Sequence, residues 1–286
     1  MTVLLFAGLT LRELARRRLV AAVALLTLAI VAFTAWGLHR LATAVVDGAP
    51  IAEPGVRATA AGIVILLAFL FSFVLALGAA LVGAPAMAES IANGEILAVL
   101  ARPVRRADVA LGRWLGTLVA LAIYVAVAGG VELLVVQIMT GYAPPQPLGA
   151  LAYLCCLAGI VTTAAVALAT RLPALAAGIV AALLFGLAWI GGIIESIGLA
   201  LGNQRLADAG TVVALVFPTD AFWRGAVYSL QPAVFATVTV NATSNGGGVN
   251  PFAVTSPPPA AMLGWTFGWV VVVLIAGVAA FRTRDL

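Results

Sequence analysis

The chain contains no lysine. Fifteen arginines carry all of its fixed positive side-chain charge, against eleven acidic residues, in 286 residues. This absence excludes one chemistry outright. A phosphate-binding P-loop ends on Gly-Lys-Ser/Thr, with the lysine reaching the β- and γ-phosphates. The chain therefore cannot hydrolyse ATP at a Walker-type site, and any ATP-derived work must reach it from another polypeptide. Charge of either sign is also scarce. Only 9% of residues are charged and 64% are hydrophobic, where a soluble domain carries roughly 25% charged residues. So few charges cannot cover a globule of this size, and the mean hydropathy of +1.16 agrees. The composition is that of an integral membrane protein. His39 is the single histidine, which excludes a His-pair metal site or a bis-histidine haem within one chain. Cys155 and Cys156 are adjacent in an apolar run and read as packing residues. There is no Gly-x-Ser-x-Gly and no histidine pair, so Ser-His chemistry has nothing to work with. No catalytic residue, metal site or resident cofactor is assigned, and no nucleic-acid partner is expected.

What the chain does have is long apolar runs. A spanning helix needs about 20 mostly apolar residues, and six segments meet that: about 19–38, 59–82, 111–139, 148–170, 174–200 and 261–281. The fold class expected is all-α membrane, a single transmembrane domain over 1–286. Arginine asymmetry sets the orientation. With the N-terminus inside, Arg12, Arg16, Arg17, Arg18, Arg102, Arg105, Arg106, Arg113, Arg171, Arg282 and Arg284 face the cytoplasm. Arg40, Arg57, Arg205 and Arg224 then face outward, eleven against four. Both termini are expected in the cytoplasm of a cell (inner) membrane.

Residues 1–18 combine Leu4, Leu5, Leu9, Leu11 and Leu14 with Arg12, Glu13, Arg16 and Arg17. This reads as an interfacial helix lying on membrane lipid. The outer region 201–260 is long. Within it Pro218 breaks a helix, Thr219 or Asp220 can cap a new one, and Phe222, Trp223 and Tyr228 suit a membrane interface. A re-entrant or interfacial helix pair is expected there before the last span, with Pro218 and Asp220 as the outer-gate candidates. Residues 231–260, rich in Thr, Asn, Gly and Pro, read as a surface loop.

The longest polar interruption on the arginine-rich side is Met87–Gly116. Ala86–Ala101 has helical spacing of its apolar residues, Pro103 stops that helix, and Asp108 can cap the helix that leads into the third span. Two amphipathic pieces with a break are expected within a cytoplasmic loop over 83–110. Taken on its own, such a loop is equally a solvated elbow anchored by arginines to lipid phosphate. The run Glu89, Gly94-Glu95-Ile96-Leu97, Leu100-Ala101-Arg102-Pro103-Val104-Arg105-Arg106 and Leu111-Gly112-Arg113-Trp114-Leu115-Gly116 resembles the cytoplasmic loop of type-2 ABC transporter permeases. Phe217-Pro218-Thr219-Asp220, followed by Phe222, Trp223 and Arg224, resembles that family's segment before the last span. The ending Phe281-Arg282-Thr283-Arg284-Asp285-Leu286 resembles its basic tail. The layout also resembles the permeases of the copper-site maturation system for nitrous-oxide reductase, which fixes no substrate.

The resemblance implies an exporter-type membrane subunit. It would pair with a second permease copy or a homologous permease and with an ABC ATPase subunit dimer, ATP and Mg being held by the partner. Glu89, Glu95, Arg102, Arg105 and Arg106 would be the ATPase-coupling residues. The alternative is a mechanotransmission module acting on an extracytoplasmic protein without moving a solute. Ionisable groups inside a membrane are costly and often functional, which singles out Glu132 and Glu195. Glu132 lies 19 residues beyond Arg113, about 28 Å along a helix, and Glu195 lies near the outer end of the fifth span. Two readings stand for this pair. They sit at the outer headgroups or pair with Arg205 or Arg224, or they line a substrate pathway and contact a cationic or polar group.

Overall fold

The computed structural model describes residues 2–16, 18–46, 49–94, 104–232, 254 and 256–284. Ten helices are assigned among them. α1 is Thr2–Ala15, α2 Arg18–Ala42, α3 Glu53–Ala92 and α4 Arg106–Tyr124, which continues through a π-helical turn, Val125–Gly129, into α5, Gly130–Thr140. α6 is Pro147–Ala169, α7 Ala174–Ala200, α8 Gln204–Val216, α9 Asp220–Leu230 and α10 Ala260–Arg282. A two-residue pair, β1 Val45–Val46 and β2 Ala49–Pro50, forms an antiparallel hairpin between α2 and α3. Six elements are long and apolar enough to cross a membrane: Ala21–Ala42, Glu53–Ala92, Arg106–Thr140, Pro147–Ala169, Ala174–Ala200 and Ala260–Arg282. The chain is an all-helical, multi-pass membrane protein, and its six spans are those expected from hydropathy.

Two spans run well past their apolar segments. α3 is 40 residues long, about 60 Å at 1.5 Å per residue, twice the roughly 30 Å of a hydrocarbon core. Pro54 stands in its first turn, where its missing N–H costs nothing. Pro85 lies inside the helix without ending it. The helix stops only at Asn93-Gly94, where Gly94 takes φ +71°, the left-handed conformation that terminates helices. Residues 86–92 are therefore continuous with the second span, where a separate amphipathic piece was expected; 95–103 lie outside the described residues. Ala84, Ala86, Met87, Ala88 and Ser90 are buried, so packing holds this extension as span-like helix. The third span begins at once at Arg106. Asp108 lies inside its first turn, not at the cap, and no side chain caps its start.

α6 is the central helix. Its length is mostly Ala, Gly, Leu and Thr, and it packs against α3, α4, α7, α9 and α10. Small residues let helix backbones approach where lipid offers no hydrophobic drive to associate. The Thr170–Pro173 turn joins α6 to α7, which lie beside each other as expected. An aromatic cluster of Phe69, Phe73, Phe185, Trp189 and Trp223 fills the space between α3, α7 and α9 at centroid separations of 4.9–6.0 Å.

After α7 the chain reverses. Asn203 caps α8, its side chain accepting from the Leu206 amide at 3.2 Å. α8 then runs back along α7 on a glycine seam: a Cβ at Gly198 would sit 2.4 Å from the Ala207 nitrogen, and one at Gly210 would sit 2.4 Å from the Glu195 nitrogen. At Phe217–Thr219 the path bends by 99° into α9, the break expected from Pro218. The proline leaves the last carbonyls of α8 without intrahelical partners. Two indoles of α10 take them: Trp265 Nε1 donates to Leu215 O and Trp269 Nε1 to Val216 O, each at 2.9 Å. Neither Thr219 nor Asp220 makes a side-chain cap bond to α9; the Asp220 carboxylate is engaged elsewhere.

Candidate functional site

Three groups of side chains carry chemistry. The first is at the arginine-rich end of the bundle, which holds both termini. α1 buries Phe6, Thr10 and Leu14, a single stripe at fourfold spacing. It lies on α4 where Gly112 and Gly116 open a seat. A Cβ on Gly112 would stand 2.4 Å from Phe6 Cβ, and one on Gly116 would stand 2.6 Å from Ala7 O. The spacing is Gly-x-x-x-Gly, which allows close backbone approach. Polar contacts fix the register: Thr2 Oγ1 donates to Asp108 Oδ2 at 2.6 Å, and Arg113 meets Glu13 at 3.3 Å with the arginine side chain only 14% exposed. Leu4, Leu5 and Leu9 remain uncovered, at 69%, 61% and 51% exposure.

Arg106, half-buried, reaches across to the end of α10. Its Nη1 lies 3.3, 3.2 and 2.8 Å from the carbonyl oxygens of Phe281, Arg282 and Arg284. Its guanidinium carbon stands 5.9 Å from the Phe281 ring centroid. The cation thus satisfies carbonyls at the end of α10 and complements that helix's negative pole. Arg284 donates to Thr170 O at 2.6 Å and Arg171 donates to Thr283 Oγ1 at 2.5 Å. Three connections, α3–α4, α6–α7 and the C-terminal tail, are thereby laced together. Of the other coupling residues expected from sequence, Glu89 and Arg105 are exposed at the two edges of the α3–α4 connection. Glu95 and Arg102 lie outside the described residues.

The second group is at the opposite end. Arg224 Nε donates to Asp220 Oδ2 at 2.6 Å. Its Nη2 lies 2.7 Å from Gly192 O, 3.1 Å from Ser196 Oγ and 3.5 Å from Glu195 Oε2. Thr211 Oγ1 donates to Glu195 Oε1 at 3.0 Å. Asp220 is 7% exposed, and a Cβ on Gly192 would fall 2.2 Å from its Oδ1. Only glycine at 192 leaves the carboxylate room. Of the two arginines considered for Glu195, Arg224 is the one beside it. The network ties α7, α8 and α9 into one unit at the bend that contains Pro218. A second tie holds the far end of α9. The Tyr142 hydroxyl, pushed up to about 12 by burial, donates to Leu230 O, and Gln146 N donates to Ser229 O at 3.0 Å.

The third group surrounds Glu132. A cavity of about 610 Å³ lies between α2, α3, the π-helical turn with α5, and the start of α6. Apart from Thr27, Thr34, Tyr124 and Glu132, all of its lining residues are apolar. Thr27 and Tyr124 bond each other at 2.9 Å. Thr34 also lines the cavity, and Glu132 Oε1 is buried with no hydrogen-bond partner among the described residues. Glu132 and Glu195, paired in sequence reasoning, thus occupy opposite environments. Among the described residues no cluster of three or more His, Cys, Asp or Glu could hold a metal ion.

Sequence reasoning missed the α1 seat, the carbonyl contacts of Arg106 and the π-helical turn. The Gly112/Gly116 spacing was visible. The partners of Arg106 lie about 175 positions away and left no local mark. The sequence model of the family described as ABC-2 family transporter protein matches residues 11–286. A search of the curated proteins finds no match to the chain. The match covers nearly the whole chain, and the protein belongs to the ABC-2 family of transporter membrane subunits, a multi-pass permease of an ABC system.

Proposed function

We propose that this ABC-2 permease is the non-catalytic membrane subunit of an ATP-driven exporter. In this reading it lies in the cell membrane with both termini in the cytoplasm. It works beside a second permease copy or a homologous one, on a separate ABC ATPase dimer that holds ATP and Mg. The ATPase docks on the α3–α4 connection, with Glu89, Glu95, Arg102 and Arg105 as its contacts. The observation that carries this reading is the lacing around Arg106. A force applied to that connection meets α3 and α4 as unbroken rods, α1 seated on α4, and the end of α10 through three carbonyls. A push there moves several spans together. Arg106 then acts as the brace behind the docking surface, with Glu89 and Arg105 presented at its edges. Glu132 lies on the substrate path, and the α8–α9 unit with Pro218 and Asp220 forms the outer gate.

The test is co-purification of the permease with its ATPase from native membranes. Reversing charge with Glu89→Arg or Arg105→Glu should lower recovery of the ATPase at unchanged permease level. Arg106→Gln should leave the complex intact yet uncouple hydrolysis. A permease that purifies without any ATPase defeats the reading. The mechanotransmission alternative, on an extracytoplasmic partner, draws on the rigid α7–α8–α9 unit. Solute accumulation in inverted vesicles separates the two.

A further inference from the structure

The cavity around Glu132 has the form of a ligand site. Its volume of about 610 Å³ falls within the roughly 300–1,000 Å³ of small-molecule pockets, which are mostly apolar with a few placed polar groups. α2 runs along α5 but barely touches α3, so the cavity has a lateral cleft between α2 and α3. Leu26, Phe33, Leu66 and Leu70 line the cavity and are more than half exposed, so the bundle does not enclose it. The way in is therefore sideways, at membrane depth.

One polar group in this apolar space is left wanting. Thr27 and Tyr124 satisfy each other, yet Glu132 Oε1 has no partner among the described residues. A carboxylate without a counter-ion at membrane depth is costly. The backbone is also shaped to aim it. In an uninterrupted α-helix, eight residues from Tyr124 to Glu132 would turn Glu132 about 80° away from the face Tyr124 occupies. The π-helical turn Val125–Gly129 inserts about one extra residue, which brings the two to within about 20° of each other. Both line the cavity. π-Helical turns of this kind recur at functional sites.

We infer that this cavity binds an amphiphilic organic monocation, with an apolar body against the α2–α3–α6 walls and its positive charge at Glu132, entering from the lipid between α2 and α3. The inference names a substrate class for the transport path proposed above and rests on that reading. Binding itself needs no ATPase, so the two fail separately. Absence of an ATPase partner defeats the transporter assignment and leaves the binding result as measured. Absence of charge-selective binding defeats only the substrate class.

The experiment uses the full-length permease in nanodiscs of zwitterionic lipid. The probes are tetraphenylphosphonium and tetraphenylborate, a cation and an anion of nearly the same size and shape. The wild-type protein should bind the cation saturably and at least about tenfold more tightly than the anion, the scale of one charged contact in an apolar site. Glu132→Gln should remove most of that preference, and Glu132→Asp should keep part of it, with thermal melting of both variants monitored. Equal binding of the two ions by the wild type overturns the inference, and this comparison requires no variant to fold. A cation preference that survives Glu132→Gln also overturns it. Either result would mark the cavity as space filled by acyl chains or by a second copy of the chain.

Discussion

Glu132 and Glu195 look alike in the sequence: each is one acid deep in an apolar run, far from the arginine-rich end. The structure gives them opposite surroundings. Glu195 sits on the glycine seam between α7 and α8. There backbones approach closely enough for α9 to deliver Arg224, and for Thr211 to donate to its other oxygen. Glu132 sits on the far side of a π-helical turn, in a cavity whose lining is apolar apart from it, Thr27, Thr34 and Tyr124. One carboxylate belongs to a closed ionic network, and the other has an oxygen with no hydrogen-bond partner among the described residues. A carboxylate's role in a membrane is thus set by what the neighbouring helices bring to it.

The largest expected effect lies on the closed side. Among the described residues, Arg224 carries the only positive charge that meets Asp220, Glu195 and Gly192 O in this network. Arg224→Met should cost about 3–5 kcal/mol, because it leaves Asp220 buried and unpaired. Thermal melting in detergent measures it. Replacing both partners, Asp220→Leu with Arg224→Met, should recover much of the loss. If the double variant is no more stable than Arg224→Met alone, the network is not the tie between α7 and α9.

A middle-sized effect is expected at the α1 seat. Gly116→Leu drives a side chain into Ala7 O and Thr10 Cβ, which a Cβ alone would meet at 2.6 and 2.8 Å. Overpacking of this kind costs about 1–3 kcal/mol. The cost should appear as release of α1, read as new proteolytic cleavage near Arg16 with the rest of the bundle intact. A variant that resists protease like the wild type would show that the glycines are not what seats α1.

How much of this was legible follows from the range over which each signal acts. The six spans were, because hydropathy over 20 residues is a local property. The break before Asp220 was, because Pro218 acts on its own helix. The extent of α3 was not. Residues 86–101 read as a separate amphipathic helix, but burial of Ala84, Met87 and Ala88 makes 86–92 a continuation of the second span. The Gly112/Gly116 seat was half legible, since the spacing is a known packing signature but nothing local says that residues 2–15 fill it. The carbonyl contacts of Arg106 were not legible, because those partners are at the other end of the chain. The π-helical turn, Val-Ala-Val-Ala-Gly, has no composition that separates it from the α-helix on either side.

The smallest effect is also the one that most sharpens the comparison, because its sign differs. Removing Glu195 with Glu195→Leu strips Arg224 and Thr211 of an acceptor and should destabilise the protein. Glu132→Leu removes a carboxylate with one buried oxygen that has no hydrogen-bond partner among the described residues. Leaving such an atom unpaired costs roughly 1–3 kcal/mol. The leucine adds apolar surface in a space already lined by Leu133, Leu151 and Leu154. Glu132→Leu should therefore melt no lower than the wild type, and higher by the equivalent of about 1 kcal/mol. A group that weakens the resting protein is one retained for another task. If Glu132→Leu proves as damaging as Glu195→Leu, the two acids are equivalent structural members and the cavity has no special claim on Glu132.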